Sequence, residues 1–174
     1  VYLWANNSDH YVNYENTGSK GFEVEFKLRE GWSSINFGYS FYLANRSNEV
    51  PDYNVEGIET IYGAFPNHKI SFNSNFKIAN NLFVSPSILF YSERYTYFFD
   101  ENWNPILQKF QPTYIANLFI EYRNLLINNL DLAIGVYDIT NQKYCFINAY
   151  KAGIEPIYQP GREFSAKIRY NFNF

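Results

Sequence analysis

Residues 162–174 read REFSAKIRYNFNF. Apolar and aromatic side chains take every second place, at Phe164, Ala166, Ile168, Tyr170, Phe172 and Phe174, and Ser165, Lys167, Arg169, Asn171 and Asn173 fall between them. A repeat of two is the mark of a β-strand with two unlike faces. The same repeat runs through the chain. Phe22, Val24, Phe26 and Leu28 alternate with Glu23, Glu25, Lys27 and Arg29, and Ile35, Phe37, Tyr39, Phe41 and Leu43 with Ser34, Asn36, Gly38 and Ser40. Further along, Ile70, Phe72, Phe76 and Ile78 oppose Ser71, Asn73, Asn75 and Lys77. Tyr114, Ala116, Leu118, Ile120 and Tyr122 oppose Asn117, Glu121 and Arg123, and Leu130, Leu132, Ile134 and Val136 oppose Asp131, Ala133 and Gly135. LFVSPSILFY alternates less cleanly, and no segment carries a helical period.

The chain has 174 residues, which suits one domain. Aromatic residues reach 21%, with 17 Tyr and 17 Phe, a composition that favours strands. The net charge of −3 offers no basic surface for nucleic acid. A single cysteine, Cys145, excludes an internal disulfide framework and a Cys-rich metal site. No apolar run approaches the roughly 20 residues of a membrane helix. The mean hydropathy of −0.36 would suit a soluble protein, but that measure is blind to membrane β-barrels, whose strands alternate. The chain opens on VYLWAN without Met or a secretory signal, so either a signal has been removed or the chain is a piece of a longer one.

The connections are of two kinds. Glu30-Gly31, Asn80-Asn81 and Asn128-Asn129 read as tight turns, because Gly and Asn tolerate positive φ. Long polar and aromatic connections are expected at about 6–17, 45–67, 100–111 and 143–161. Short and long alternate, so antiparallel strands put every tight turn at one end and every long loop at the other. Counting VYLWA, about eight strands in four hairpins are expected. Most are long enough for the roughly 9–11 tilted residues that cross a bilayer.

Two arrangements share this pattern. A soluble, lipocalin-like barrel would turn the apolar face inward; a membrane barrel turns it to lipid. An eight-stranded interior has room only for side chains that just fill it. Large rings on nearly every strand, including Phe22, Phe26, Phe37, Phe72, Phe90 and Phe172, would overfill it. Tyr39, Phe41, Tyr114, Tyr122 and Phe174 lie near strand ends, where membrane barrels carry aromatic girdles. The expectation is an all-β, antiparallel up-and-down transmembrane barrel segment with Glu23, Glu25, Lys27, Arg29, Lys77, Glu121, Arg123, Asp131, Lys167 and Arg169 on the water side. The two outer edges need partners, since lipid tolerates no open edge.

The C-terminal quarter, LDLAIGVYDITNQKY and then PGREFSAKIRYNFNF, resembles the end of TonB-dependent outer-membrane receptors. Those close with G-V-x-N-L-x-[ND]-x-x-Y, a loop, and P-G-R-x-[FY] opening a last strand that ends in Phe. The matching residues are Gly135, Val136, Asn141, Tyr144, Pro160, Gly161, Arg162, Phe164 and Phe174. YENTGSKGFEVEFKL resembles an upstream segment of the family through Tyr14, Asn16, Gly18, Gly21 and Glu23, with Gly18 one residue early. Asp138 and Thr140 stand where Asn and Phe are commoner. The resemblance spans the chain and implies that residues 1–174 are the C-terminal segment of a 22-stranded, plugged barrel in the outer membrane of a Gram-negative bacterium. It implies uptake of a scarce nutrient (siderophore, haem, cobalamin or oligosaccharide) as the function. The implied partners are outer-membrane lipid, the remaining strands and plug of the same receptor, the TonB complex through that plug, and the barrel-assembly machinery through Phe174. The alternatives are a complete eight-stranded barrel closed by residues 1–5 against 162–174, with a structural or adhesive role, and the soluble carrier.

Catalysis has little support: no G-x-S-x-G, H-E-x-x-H or P-loop pattern is present. Ser8, Asp9 and His10 read better as a solvated loop than as a hydrolase fragment, and neither cofactor nor metal is expected. His10 as a haem ligand, and a Ca²⁺ site at Asp52, Glu56, Glu59, Asp100 and Glu101, are weaker than solvated loop charge, because no ligand spacing supports them. His10, Tyr11, Trp103, Tyr150 and Tyr158 are candidate ligand contacts, since exposed loop rings stack on sugars or aromatic chelates; packing of loop against loop is the competing reading.

Overall fold

The structure, a computed structural model, describes residues 2–5, 8–11, 18–44, 53–149 and 155–172. In chain order the strands are β1 (Tyr2–Ala5), β2 (Ser8–Tyr11), β3 (Ser19–Glu30), β4 (Ser33–Ala44), β5 (Asn54–Val55), β6 (Ile58–Tyr62), β7 (His68–Lys77), β8 (Leu82–Tyr91), β9 (Arg94–Phe99), β10 (Pro105–Phe110), β11 (Thr113–Tyr122), β12 (Leu130–Tyr137), β13 (Cys145–Phe146), β14 (Ile157–Tyr158) and β15 (Glu163–Tyr170). Seven of them form one antiparallel sheet in the order β15-β12-β11-β8-β7-β4-β3, in which chain neighbours are also spatial neighbours. The sheet is open, with β3 and β15 at its edges.

The register explains the alternation. Phe22, Phe41 and His68 share one row, Val24, Tyr39, Ile70, Phe90 and Tyr114 another, and Phe26, Phe37, Phe72, Ile88 and Ala116 a third. Val84, Ile120, Ile134 and Ala166 continue the same face to β15. One apolar surface therefore crosses all seven strands. Its residues are not gathered in a dry centre: Phe22, Val24, Phe26, Leu28, Ile88, Ile134, Phe164 and Ile168 are all exposed. Moving such side chains from water into hydrocarbon is worth roughly 1.5–3 kcal/mol each, so lipid is the solvent this face fits.

Four expectations are corrected in detail. The opening VYLWA is not an eighth strand of the sheet. It pairs with Ser8–Tyr11 in a separate two-stranded sheet, and four residues are too few to span. With β1 elsewhere and the sheet open, closure of a complete barrel by residues 1–5 against 162–174 does not occur among the described residues. The first tight turn sits one residue later than expected, at Gly31-Trp32, because Glu30 still pairs with Ser33 and Gly31 supplies φ +55°. Asn80-Asn81 are the centre of a turn closed from both sides by Ala79 and Leu82. Asn128-Asn129 likewise centre a turn, but β11 stops at Tyr122, so this connection is longer than two residues. Asn124 and Leu126 take positive φ there, and the Asn124 side chain accepts the Asn129 N–H at 2.8 Å.

Every long connection contains its own two-stranded hairpin: β1/β2, β5/β6, β9/β10 and β13/β14. The third begins at 92 rather than 100, because YSERYTYFF breaks at Ser92-Glu93 and restarts as a loop strand. Buried Val55, Ile61 and Tyr95, with Ile58 and Leu107 against them, form a small hydrophobic core between the second and third connections.

Candidate functional site

The polar face of the sheet carries the charges. Amides and hydroxyls line its middle, where Asn75 accepts from Ser85 at 3.0 Å and Asn117 donates to Ser87 at 3.0 Å. Toward the tight-turn end, Arg123 pairs with Glu121 at 3.0 Å, and Arg169 lies 4.0 Å from Glu121 and 3.8 Å from Asp131. Arg123 also lies over the rings of Phe83, 4.0 Å away, and Trp32, 5.5 Å away. Lys27 pairs with Glu25 at 2.7 Å on exposed side chains. This is a hydrated, internally paired wall, in which isolated surface pairs contribute little stability.

The loop end is built differently. Ala64 donates to the Tyr95 carbonyl at 2.6 Å and Glu56 N–H to the Tyr97 hydroxyl at 2.7 Å, which ties β5/β6 to β9/β10. The Thr96 hydroxyl donates to Asn148 at 2.7 Å, tying in the last connection. The Tyr62 hydroxyl donates to the Gly18 carbonyl beside the start of β3.

The motif residues form one joint. Asn141 takes φ +51°, and its side-chain oxygen accepts the Arg162 N–H at 2.9 Å. The Arg162 guanidinium donates to the Ile139 carbonyl at 2.6 Å. A Cβ at Gly161 would stand 2.7 Å from the same Asn141 oxygen, so a side chain there would push the amide off the Arg162 N–H. The two separated motif halves are thus a clasp that sets where β12 ends and β15 begins. Asp138 and Thr140, the departures from the family pattern, bond to each other at 2.6 Å, and the Asp138 N–H donates to Asn117 at 2.9 Å. Gln142 donates to Pro112 at 2.9 Å and accepts the Tyr114 N–H at 2.5 Å. At Gly135 a Cβ would lie 2.3 Å from the Phe119 ring, which needs that space to lie across β12. Tyr144 is half-buried, and burial raises its pKa. Pro160 is exposed.

The candidate ligand contacts are not brought together. Trp103 is 80% exposed at the tip of β9/β10, with φ +63° and its ring 6.0 Å from Phe99. Tyr158, also exposed, stands on β14 opposite Cys145. His10 and Tyr11 fall on β2, but their side chains, like Tyr150, Phe174 and Asp52, lie outside the described residues. Asp100 is occupied in holding the hairpin tip: it accepts the N–H groups of Asn102 and Asn104, each at 2.8 Å, and the Asn104 amide at 3.0 Å. No group of three or more His, Cys, Asp or Glu side chains placed to hold a metal ion occurs among the described residues.

Arg94 and its surroundings were not singled out by the sequence. Arg94 is 8% exposed. Its Nη2 reaches the Thr113 hydroxyl at 3.4 Å and the Cys145 carbonyl at 3.3 Å, both long. Its Nε is buried without a partner, and its pKa is lowered by burial. Beside it Lys109 and Glu93 pair at 2.7 Å, lowering the Glu93 pKa and raising that of Lys109. A lone arginine within an aromatic run has no spacing that would reveal it.

The sheet, with an apolar surface outside, a charged wall opposite and all long loops at one end, defines the class: a segment of an up-and-down membrane β-barrel. Solved structures narrow this. The chain superposes on the ferric-catecholate import receptor Fiu of E. coli K12 in its closed form with a TM-score of 0.74, at 18% identity, over 96% of this chain and 23% of that one. It superposes on the pyoverdine outer membrane receptor FpvA of Pseudomonas aeruginosa PAO1 at 0.70, with 12% identity over 88% and 21%. For the siderophore receptor PirA of Acinetobacter baumannii the score is 0.63, with 14% identity over 87% and 22%. The fold is that of these receptor barrels, as the motif resemblance implies, and the chain spans about a fifth of their length. No protein-family model matches the sequence. No curated protein sequence is significantly similar to it.

Proposed function

We propose that the chain is the C-terminal part of the barrel of a TonB-dependent receptor in the outer membrane of a Gram-negative bacterium, taking up a scarce nutrient. The observation that carries this is the single apolar surface shared by all seven strands, combined with long connections at one end only. The open edges of β3 and β15 suit further strands of a 22-stranded barrel, and the charged face suits a hydrated plug. In this reading TonB acts through that plug, Phe174 is read by the assembly machinery, and the chain does no chemistry. The neighbours are receptors for siderophores, which makes a siderophore the first cargo to test, ahead of haem, cobalamin and oligosaccharide.

The test is expression of the full-length protein carrying this chain, followed by membrane fractionation and a growth assay on ferric siderophores as the sole iron source. The expected result is outer-membrane sedimentation, heat-modifiable gel migration, and growth that is lost when tonB is deleted. A protein that stays monodisperse in buffer without detergent would overturn the reading.

A further inference from the structure

Beneath the β9/β10 hairpin lies a cleft of about 250 Å³. Its lining includes Arg94, Lys109, Lys143, Phe110, Tyr144 and Tyr158. No acidic side chain is in the lining, although Glu93 just outside it neutralises Lys109. Arg94 forms no ion pair among the described residues. A buried guanidinium with two long hydrogen bonds, the Tyr91 ring 5.8 Å away and an unpartnered Nε is a cation with no carboxylate partner among the described residues. Lys143, on the exposed turn after the Asn141 clasp, adds a second positive charge at the mouth. The same mouth is flanked by Tyr158, two-thirds exposed among the described residues. Arginine is the side chain best suited to a planar oxyanion. A cavity of about 150 Å³ already accepts a benzene ring, so this volume takes an aromatic ring with its anionic substituent.

We propose that this cleft binds an aromatic carboxylate, with the oxyanion on Arg94, Lys143 at the entrance, and the ring against Tyr158 and Phe110. The site depends on the transport reading only for the use made of the ligand; binding rests on the cleft itself.

The experiment uses the full-length protein carrying this chain, in detergent, with 4-fluorobenzoate as the probe in ¹⁹F NMR titrations. Saturable binding of 4-fluorobenzoate is expected, with 4-fluorobenzamide, the same ring without charge, failing to bind. Arg94→Gln should weaken binding about tenfold or more, the loss expected for one charge-assisted hydrogen-bonding partner, and Arg94→Lys should recover part of it. Lys143→Gln, at an exposed turn that leaves the fold intact, should weaken it severalfold even if Arg94→Gln fails to assemble. Equal binding of the benzamide, or unchanged affinity in both Gln variants with heat-modifiable migration retained, overturns the site. Benzoate binding in a protein that supports no nutrient uptake would refute the transport reading and leave the site standing. Uptake without benzoate binding would do the reverse.

Discussion

The sheet and the loop end solve opposite solvent problems within one chain. In the sheet the rings point out, with Phe22, Phe26, Tyr114 and Phe164 more than half exposed, while Asn36, Asn73, Ser87 and Asn117 occupy the other face. In the loops the rings point in: Tyr95 and Tyr97 are buried, and Val55 and Ile61 pack with Tyr95 as they would in a water-soluble protein. Strand periodicity is the same in both. The difference is what lies beyond the apolar side: another hairpin for the loops, and no second layer among the described residues for the sheet. A period of two therefore tells that a strand has two faces and not which solvent each face meets.

The largest break in that comparison comes from neighbouring residues on β7. Phe72→Arg puts a charge on the apolar face and should cost about 2–4 kcal/mol, whereas Asn73→Arg on the polar face should cost at most about 1 kcal/mol. Urea titration of the protein folded into lipid vesicles measures both, and equal costs would mean that the faces do not differ in solvent. Next, Ile61→Ala opens the loop core. A loss of about 2–3 kcal/mol is expected, confined to the loops, so amide exchange should accelerate in β5/β6 and β9/β10 with β7 and β8 unchanged. Spread of the effect into the sheet would merge the two regions. Asn141→Gly removes the acceptor of the Arg162 N–H while keeping φ +51° accessible. About 1 kcal/mol is expected, seen as faster exchange at Arg162, with Asn141→Ala costing more because of its strained φ.

The smallest effect is a pH dependence of the third hairpin. The hydrogen bond from Lys109 first, and that from Tyr95 second, lower the Glu93 pKa. The stabilising contribution of Glu93 is therefore complete above the ordinary carboxylate pKa and is lost as pH falls through its lowered folded value. Amide exchange at β9 and β10, corrected for intrinsic rates, should quicken on acidification into that window. Glu93→Gln should abolish the change, and an unaltered pH profile in that variant would assign it to another group, such as Asp100.

The legible parts of the sequence were those that depend on local rules. The six strands read from alternation, the placement of Asn80-Asn81 at a turn, and the asymmetry of the connections follow from pleat geometry and positive φ. VYLWA was misread because a short apolar run fits a barrel strand and a loop hairpin equally, and only pairing with Ser8–Tyr11 separates them. The long connection expected at 100–111 starts earlier, at 92, because the break at Ser92-Glu93 shows only in the pairing of Arg94–Phe99 with Pro105–Phe110. The Asn141, Gly161 and Arg162 clasp was visible as motif letters, but its mechanism needed the two halves brought together across a connection of about twenty residues.

Alternation and turn chemistry, both functions of a few consecutive residues, determined that the chain makes long antiparallel strands with one apolar face and all long connections at one end. Which strands join the sheet, that it stays open, and that Arg94 ends up buried without a carboxylate among the described residues were decided by tertiary structure. The physical reason is that pairing partners and counter-charges are supplied by residues far along the chain, and no local pattern specifies them.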